Sequence, residues 1–410
     1  MQPVRVRVAT YNVLSSHLAD PSHFPRCAPA DLDAAVRLPR VLAKLRAETA
    51  QKSVIALQEV SMDWAGELHT FFAAEGYQFV TALYGRYFNG YMGVGLAWPI
   101  SEYEVAAVSI KRIADTRQWP RGAPPAAGLA RALALARSFV SGSFGALRGS
   151  LAWVLAGGGR ASPSKPPFGG GVHGDPLAVA RDRHNQAIAA MLVPRTPPRS
   201  SSSSASGAAG GGPWRPAAFA VACYHMPCMF RTVADRQVML VHSSLYAQWA
   251  QRFAASARGA PGDGSCAPHV VVGDFNVQPS SASYELLTSQ LRADHPERPP
   301  ARAPHDRTRW SVDALPGGAM RSAYALASAD ERTEPAFTNN AWVGETGPAF
   351  RETLDYIFLS REWAVRAVRP LPPLGSLGDG EFYPSEDEPS DHLMLAAELE
   401  LPAARGARAY

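Results

Sequence analysis

The chain has 410 residues, 46% of them apolar, and a net charge of +4, which excludes a disordered or fibrous protein and suits one large α/β domain or two average ones. No run reaches the roughly 18 uncharged apolar residues that span a bilayer, since the most apolar stretches, 138–147 and 149–159, are divided by Arg148. The charge is uneven: residues 111–199 carry 13 basic and 3 acidic side chains, which leaves the remainder mildly acidic.

Val4–Leu14 alternates and then turns apolar, as a strand entering a buried sheet does. Because the alternation begins within the first eight residues, no signal or transit peptide is expected, and the protein is predicted to be cytoplasmic or nuclear. Asp31–Ala50 has helical spacing, with a kink or restart expected at Pro39. A strand at Ser53–Val60, a helix at about Asp63–Glu75 and strands near Tyr77–Tyr84, Gly93–Trp98 and Glu104–Ile113 follow, giving β-α-β-α and then antiparallel strands.

From about 114 to 180 the composition shifts to Ala, Gly, Pro, Arg and Ser, and again from about 196 to 214, so both are predicted to be insertions. Leu129–Val140 is spaced for an amphipathic helix within the first. Its surplus of arginine suits a phosphate backbone, but only four lysines occur in the chain, so compositional drift toward Arg accounts for the surplus better. Strands are expected at Ala187–Val193, Ala217–Tyr224, His269–Gly273 and Thr353–Ser360, with a last one from near His392. Helices are expected at Arg231–Ala255 and Ser281–Leu291, the latter capped by Ser280 or Ser281, with a polar loop after it. The insertions are internal to one fold, which predicts a single catalytic domain over 1–402 and a flexible tail at 403–410. Four cysteines without C-x-x-C spacing indicate buried thiols.

Chemistry gathers at strand boundaries: Asn12, Gln58-Glu59, His225, Asp274-Phe275-Asn276, Asp355 and Asp391-His392. One such carboxylate is ordinarily a cap, but six polar boundaries together predict a site beyond one sheet edge. Oxygen donors with few His or Cys suit a hard cation such as Mg²⁺ or Mn²⁺, with Glu59 and Asp391 as candidates, and argue against zinc. Asp355 and His392 can form a carboxylate–imidazole pair.

The blocks T-Y-N-V-L (10–14), L-Q-E-V (57–60), Y-H-M-P (224–227), G-D-F-N-V-Q-P-S (273–280), L-D-Y-I-F (354–358) and P-S-D-H (389–392) occur in the order seen in the endonuclease/exonuclease/phosphatase superfamily, which the chain resembles. The run S-A-S-Y-E-L-L (281–287) with F-T-N-N (337–340) is similar to the deadenylase-type branch related to the carbon catabolite repressor protein. The resemblance implies a four-layer α/β sandwich, two mixed sheets face to face with helices outside. It implies Glu59 as principal metal ligand with Asn12 and Asp391 in the metal shell. His225 is expected to contact the scissile phosphate, Asp274 to activate the attacking water and Asn276 to stabilise developing charge. Asp355 and His392 are expected to hold an imidazolium against the phosphate.

The function expected is hydrolysis of a phosphodiester, most of all in RNA, by a deadenylase-like 3′–5′ exoribonuclease. The alternatives are a phosphomonoesterase or phospholipid phosphodiesterase of the same superfamily, and a non-catalytic nucleic-acid-binding protein. Three departures bear on substrate: His225 is followed by Met-Pro-Cys, Tyr91-Met92-Gly93-Val94-Gly95 replaces a segment from which relatives reach the nucleotide, and no leucine-rich repeat is expected before the domain. Arg183 and Asn185 suit either phosphate contact or a strand-start hydrogen bond. Trp98, Trp249 and Trp342 are large enough to stack bases, though only Trp342 lies in a loop-like stretch.

Overall fold

The computed structural model describes residues 3–119, 175–195, 218–257, 265–299, 310–342, 347–378 and 380–401, with Ala260 and Gly344. In chain order the strands are β1 (Val4–Asn12), β2 (Val54–Val60), β3 (Tyr77–Leu83), β4 (Gly93–Pro99), β5 (Tyr103–Arg112), β6 (Gln186–Pro194), β7 (Phe219–His225), β8 (His269–Asp274), β9 (Arg321–Ser322), β10 (Asn339–Trp342), β11 (Ala349–Glu352), β12 (Asp355–Leu359), β13 (Ala364–Val368) and β14 (Leu395–Leu401). The helices are α1 (Pro29–Leu32), α2 (Ala34–Thr49), α3 (Met62–Ala74), α4 (Pro176–Arg181), α5 (Val233–Ser256), α6 (Ala282–Thr288) and α7 (Ala323–Ala327).

Two six-stranded sheets, β13-β14-β1-β2-β4-β3 and β5-β6-β7-β8-β12-β9, face each other. Their inner faces share one core: Val6, Val8, Val54, Leu96 and Trp98 of the first sheet meet Ile188, Val221, Val270 and Val272 of the second. The outer face of the first sheet is covered by α2 and α3 through Val41, Leu45, Leu68 and Phe72. The outer face of the second is covered by α5 through Val238, Val241 and Leu245. This is the four-layer sandwich expected, each sheet burying apolar side chains on both faces, as the unbroken burial along β4, β7 and β8 requires.

The connections align the chemistry. β1 runs parallel to β2 with Asn12 opposite Gln58, and β7 runs parallel to β8 with His225 opposite Asp274. β12 is antiparallel to β8 and pairs Asp355 with Asp274, so a residue that starts its strand joins residues that end theirs. His392 precedes β14 and is bridged to Asn339.

Three details differ from the sequence reading. α2 continues through Pro39, and the break falls at Asp33, whose side chain caps α2 by accepting from Ala35 N. The first insertion is shorter at both ends than 114–180: Ile113–Thr116 is a 3₁₀ turn with Ala114 buried, and α4 packs on α5. The expected polar loop after α6 holds β9, α7 and the β10–β11 hairpin, elements too short to show a hydrophobic period. The interiors of both insertions, with Leu129–Val140, and the tail at 403–410 lie outside the described residues. Among the described residues no helix is long and apolar enough to cross a membrane. The cysteines are free, but only Cys223 is buried, while Cys228 is exposed.

Candidate active site

Backbone geometry presents the side chains first. Glu59 occupies a bulge, since Gln58 pairs with Val94 and Val60 with Gly93, and its φ of 58° is left-handed. The extra residue re-aims its carboxylate out of the pleat. Leu14 and Asn276 are left-handed as well, both with φ 51°; such conformations cost of order 1–3 kcal/mol each and persist where surrounding contacts enforce them. Gly273, at φ 143°, has no substitute, because a Cβ there would lie 1.9 Å from the Tyr224 carbonyl oxygen.

The two sheets are joined at this edge by Asn12, whose Nδ2 donates to Glu59 Oε1 at 3.2 Å and to Asp274 Oδ2 at 3.0 Å. Its Oδ1 accepts from Leu14 N at 3.0 Å, so Asn12 faces the site with its NH₂ and positions two carboxylates. Glu59 Oε2 accepts from Ser15 N at 3.0 Å. His225 Nε2 stands 3.5 Å from Asp274 Oδ2 and 3.9 Å from Glu59 Oε1. Asn276 N donates to Asp274 Oδ1 at 2.8 Å, and Asn276 Nδ2 to the Met226 carbonyl at 3.2 Å, which ties the loops after β7 and β8 together.

On the other side, His392 Nδ1 and Asp355 Oδ2 are 2.8 Å apart, while His392 Nε2 lies 3.8 Å from Asp274 Oδ2 and 4.0 Å from Asp391 Oδ2. Burial disfavours charge on His392, yet Asp355, Asp391 and Asp274 together hold its ring protonated well above the ordinary imidazole range. Burial pushes the Asp274 and Asp391 carboxyls up; Asp355 adds to the first and Glu59 to the second, with His392 opposing both. The eight residues singled out in the sequence, Asn12, Glu59, His225, Asp274, Asn276, Asp355, Asp391 and His392, thus gather at one edge.

Sequence reasoning missed the residues that hold them. Thr338 Oγ1 donates to Asp355 Oδ2 at 2.7 Å, and Asn339 Nδ2 to Asp391 Oδ2 at 3.1 Å; their signal was the F-T-N-N block itself. Ser390 Oγ donates to the Asn12 carbonyl at 2.6 Å. Arg37, fully buried, donates to the Val13, Leu14 and Pro389 carbonyls and so clamps the segments that carry Asn12 and Asp391. Asn185 donates to the His225 carbonyl at 3.0 Å, a structural bond. Trp98 and Trp249 are core residues, and Trp342 packs between Arg26 and Phe382.

A model of the endonuclease/exonuclease/phosphatase family matches residues 9–392, which takes in every one of these groups. The chain belongs to this family. Among curated relatives, it is 31% identical to human Nocturnin over 137 residues, 33% of this chain and 25% of that protein. It is 31% identical to Bos taurus 2′,5′-phosphodiesterase 12 over 133 residues, 32% of this chain and 19% of that protein. It is 32% identical to Arabidopsis thaliana carbon catabolite repressor protein 4 homolog 4 over 139 residues, 33% of this chain and 28% of that protein. The matches thus cover only about a fifth to just over a quarter of those relatives. In fold, it is similar to ANGEL2, a 2′,3′-cyclic phosphatase, crystallised with adenosine-2′,3′-vanadate, at a TM-score of 0.62 and 18% identity over 98% of this chain and 97% of that one. It is also similar to the human Nocturnin catalytic domain with bound sulfate, at a TM-score of 0.52 and 18% identity over 97% and 94%.

In this member of the endonuclease/exonuclease/phosphatase family, the donor set of the site fits a hard divalent cation. Burial raises the Asp391 carboxyl, and the charge of Glu59 adds to the effect. Buried Oδ1 atoms of Asp391, Asp355 and Asn339 have no hydrogen-bond partner among the described residues, and such oxygens are suited to Mg²⁺ or Mn²⁺. Ligand atoms of Asp274, Asp355 and His392 also lie within 4.8 Å of one another. A protonated imidazole hydrogen-bonded to a carboxylate is a poor metal ligand; Glu59 and Asp391 are the other carboxylates at this edge that could hold a cation.

Proposed function

We propose that the protein is a Mg²⁺- or Mn²⁺-dependent phosphodiesterase that removes nucleotides from the 3′ end of single-stranded RNA, as a deadenylase does. The observation that carries this reading is the convergence of Glu59, Asp274 and Asp391 with His225 and His392 at the open edge of the sandwich. The F-T-N-N and S-A-S-Y-E-L-L blocks and the similarity to a carbon catabolite repressor homolog support the choice of RNA. A cytoplasmic or nuclear setting goes with that substrate.

Glu59 and Asp391 would hold the cation, which would supply positive charge for the phosphate oxygens and the leaving group. Asp274, whose basicity burial increases, accepts a proton from the attacking water; the water oxygen bonds to phosphorus as the P–O3′ bond breaks in line. The proton passes to the departing 3′-oxygen, so the products are a 5′-mononucleotide and a chain shortened by one with a free 3′-hydroxyl. His225, the His392 imidazolium and the Asn276 amide stand where the phosphorane-like transition state gathers negative charge, and Asp355 keeps His392 protonated.

The test is a substrate panel with purified protein and Mg²⁺: oligoadenylate and mixed-sequence RNA, 2′,5′-linked oligoadenylate, abasic DNA, a phosphoinositide and sphingomyelin. Stepwise release of 5′-AMP from 3′,5′-oligoadenylate, with no turnover of the lipids, is expected. Preferred turnover of phosphoinositide or sphingomyelin, or release of inorganic phosphate alone, refutes the nuclease assignment.

A further inference from the structure

Three aromatic side chains open to solvent lie in a turn tied to this site, and none is a tryptophan. Tyr87 is 77% exposed, Phe88 57% and Tyr91 42%, all in the turn between β3 and β4. The turn is nonetheless firmly built. Asn89 is buried, its Oδ1 accepts from Arg86 N at 2.7 Å, and Asn89 N and Tyr91 N both donate to the Arg86 carbonyl. Gly90 and Tyr91 are left-handed, with φ 62° and 52°, and a Cβ on Gly90 would lie 2.5 Å from His17 Nδ1. Strained backbone that holds apolar rings in water calls for a functional explanation.

The turn is wired to the catalytic edge through one residue. Ser15 Oγ donates to the Asn89 carbonyl at 2.9 Å, and Ser15 N donates to Glu59 Oε2 at 3.0 Å. The Gly90 carbonyl accepts from Met62 N, at the start of the helix that follows Glu59. The rings therefore stand at a position fixed relative to the Glu59 carboxylate, with the exposed Arg86 beside them.

We propose that the Arg86–Tyr91 turn is a nucleobase platform, on which Tyr87 and Phe88 stack bases flanking the phosphate under attack at Glu59. This rests on the phosphodiesterase reading and gives its substrate a base-bearing character that carboxylates and histidines alone do not require. Two of the three rings carry hydroxyls and a guanidinium adjoins them, which suits a base next to a phosphate better than an acyl chain.

The experiment compares oligoadenylate with an oligomer of the same length in which the nucleotides flanking the scissile bond are abasic, using wild type, Tyr87→Ala/Phe88→Ala and Tyr87→Trp. Wild type is expected to show a KM lower by about tenfold or more for the base-bearing oligomer, the size of up to two lost stacks. The double variant should erase that difference by raising KM with little change in kcat, while Tyr87→Trp retains it. Equal KM values for both oligomers in wild type, or a double variant that keeps the preference, overturns the platform while leaving the hydrolase reading intact. Turnover of neither oligomer by wild type overturns both. Sedimentation of wild type, but not the double variant, with phosphatidylcholine vesicles assigns the rings to a membrane surface and overturns the nucleobase proposal.

Discussion

Glu59 combines a left-handed backbone, a bulge in the middle of a sheet edge and a carboxylate held by both Asn12 and Ser15. An L residue is held there against its conformational preference, which makes sense only if its side chain is used. Glu59→Gln keeps the shape and the acceptor for Ser15 N while removing the charge. It is expected to melt within a few degrees of wild type and to lose about a hundredfold or more in turnover, the scale of removing one transition-state electrostatic contact. Near-wild-type turnover with an unchanged melting curve removes Glu59 from the machinery. Arg37 makes the complementary point: its guanidinium holds three backbone carbonyls and touches no reacting group, yet two strands' worth of catalytic side chains depend on where those carbonyls sit.

At the scale of elements, α5 shows how a buried polar residue is accommodated. His242 is enclosed between Tyr224 and α4, with Nδ1 2.9 Å from the Tyr224 hydroxyl and Nε2 2.9 Å from the Ala180 carbonyl. A ring whose Nε2–H donates to a carbonyl while Nδ1 accepts is neutral, and burial pulls its pKa down to about 4 from 6.5. A folded-state value below the unfolded one means that the unfolded chain takes up the proton first as pH falls. Stability is therefore full above pH 6.5 and lost on the way down to about 4, by on the order of 3 kcal/mol. Melting temperature against pH for wild type and His242→Gln should show the variant flatter across that window; parallel curves contradict a neutral, buried His242. Sequence reading leaves His242 outside every motif block, and the tertiary contacts show how it is satisfied. It located the long strands because apolar runs that stop at a carboxylate are visible in one dimension. It missed β13 and the β10–β11 hairpin, because β11 and β13 are largely unburied and β10, though mostly buried, has only four residues. It also missed Thr338 and Asn339 as site residues, because their partners lie 17 and 52 positions away.

For the whole molecule, the first and last described strands pair, β1 with β14, and the two sheets share one core. The basic insertion enters and leaves through Ile113–Thr116 and α4, both packed on the fold, so the cut points belong inside them. Replacing residues 121–174, which carry six basic and no acidic side chains, with a short Gly/Ser bridge should leave cleavage of a dinucleotide intact. Drift in composition leaves the slope of long-RNA affinity against salt unchanged, whereas a shallower slope assigns the arginines to the RNA backbone. An insoluble product shows that the fold needs the segment.

On the proposed mechanism, carboxylates at the meeting of the two sheets hold a divalent cation that the reaction requires. The direct measurement is the rate of 5′-AMP release from oligoadenylate by exhaustively chelated protein, before and during titration with Mg²⁺. No detectable release without metal, and saturable recovery with it, is the expected result; full activity in the chelated protein contradicts the account.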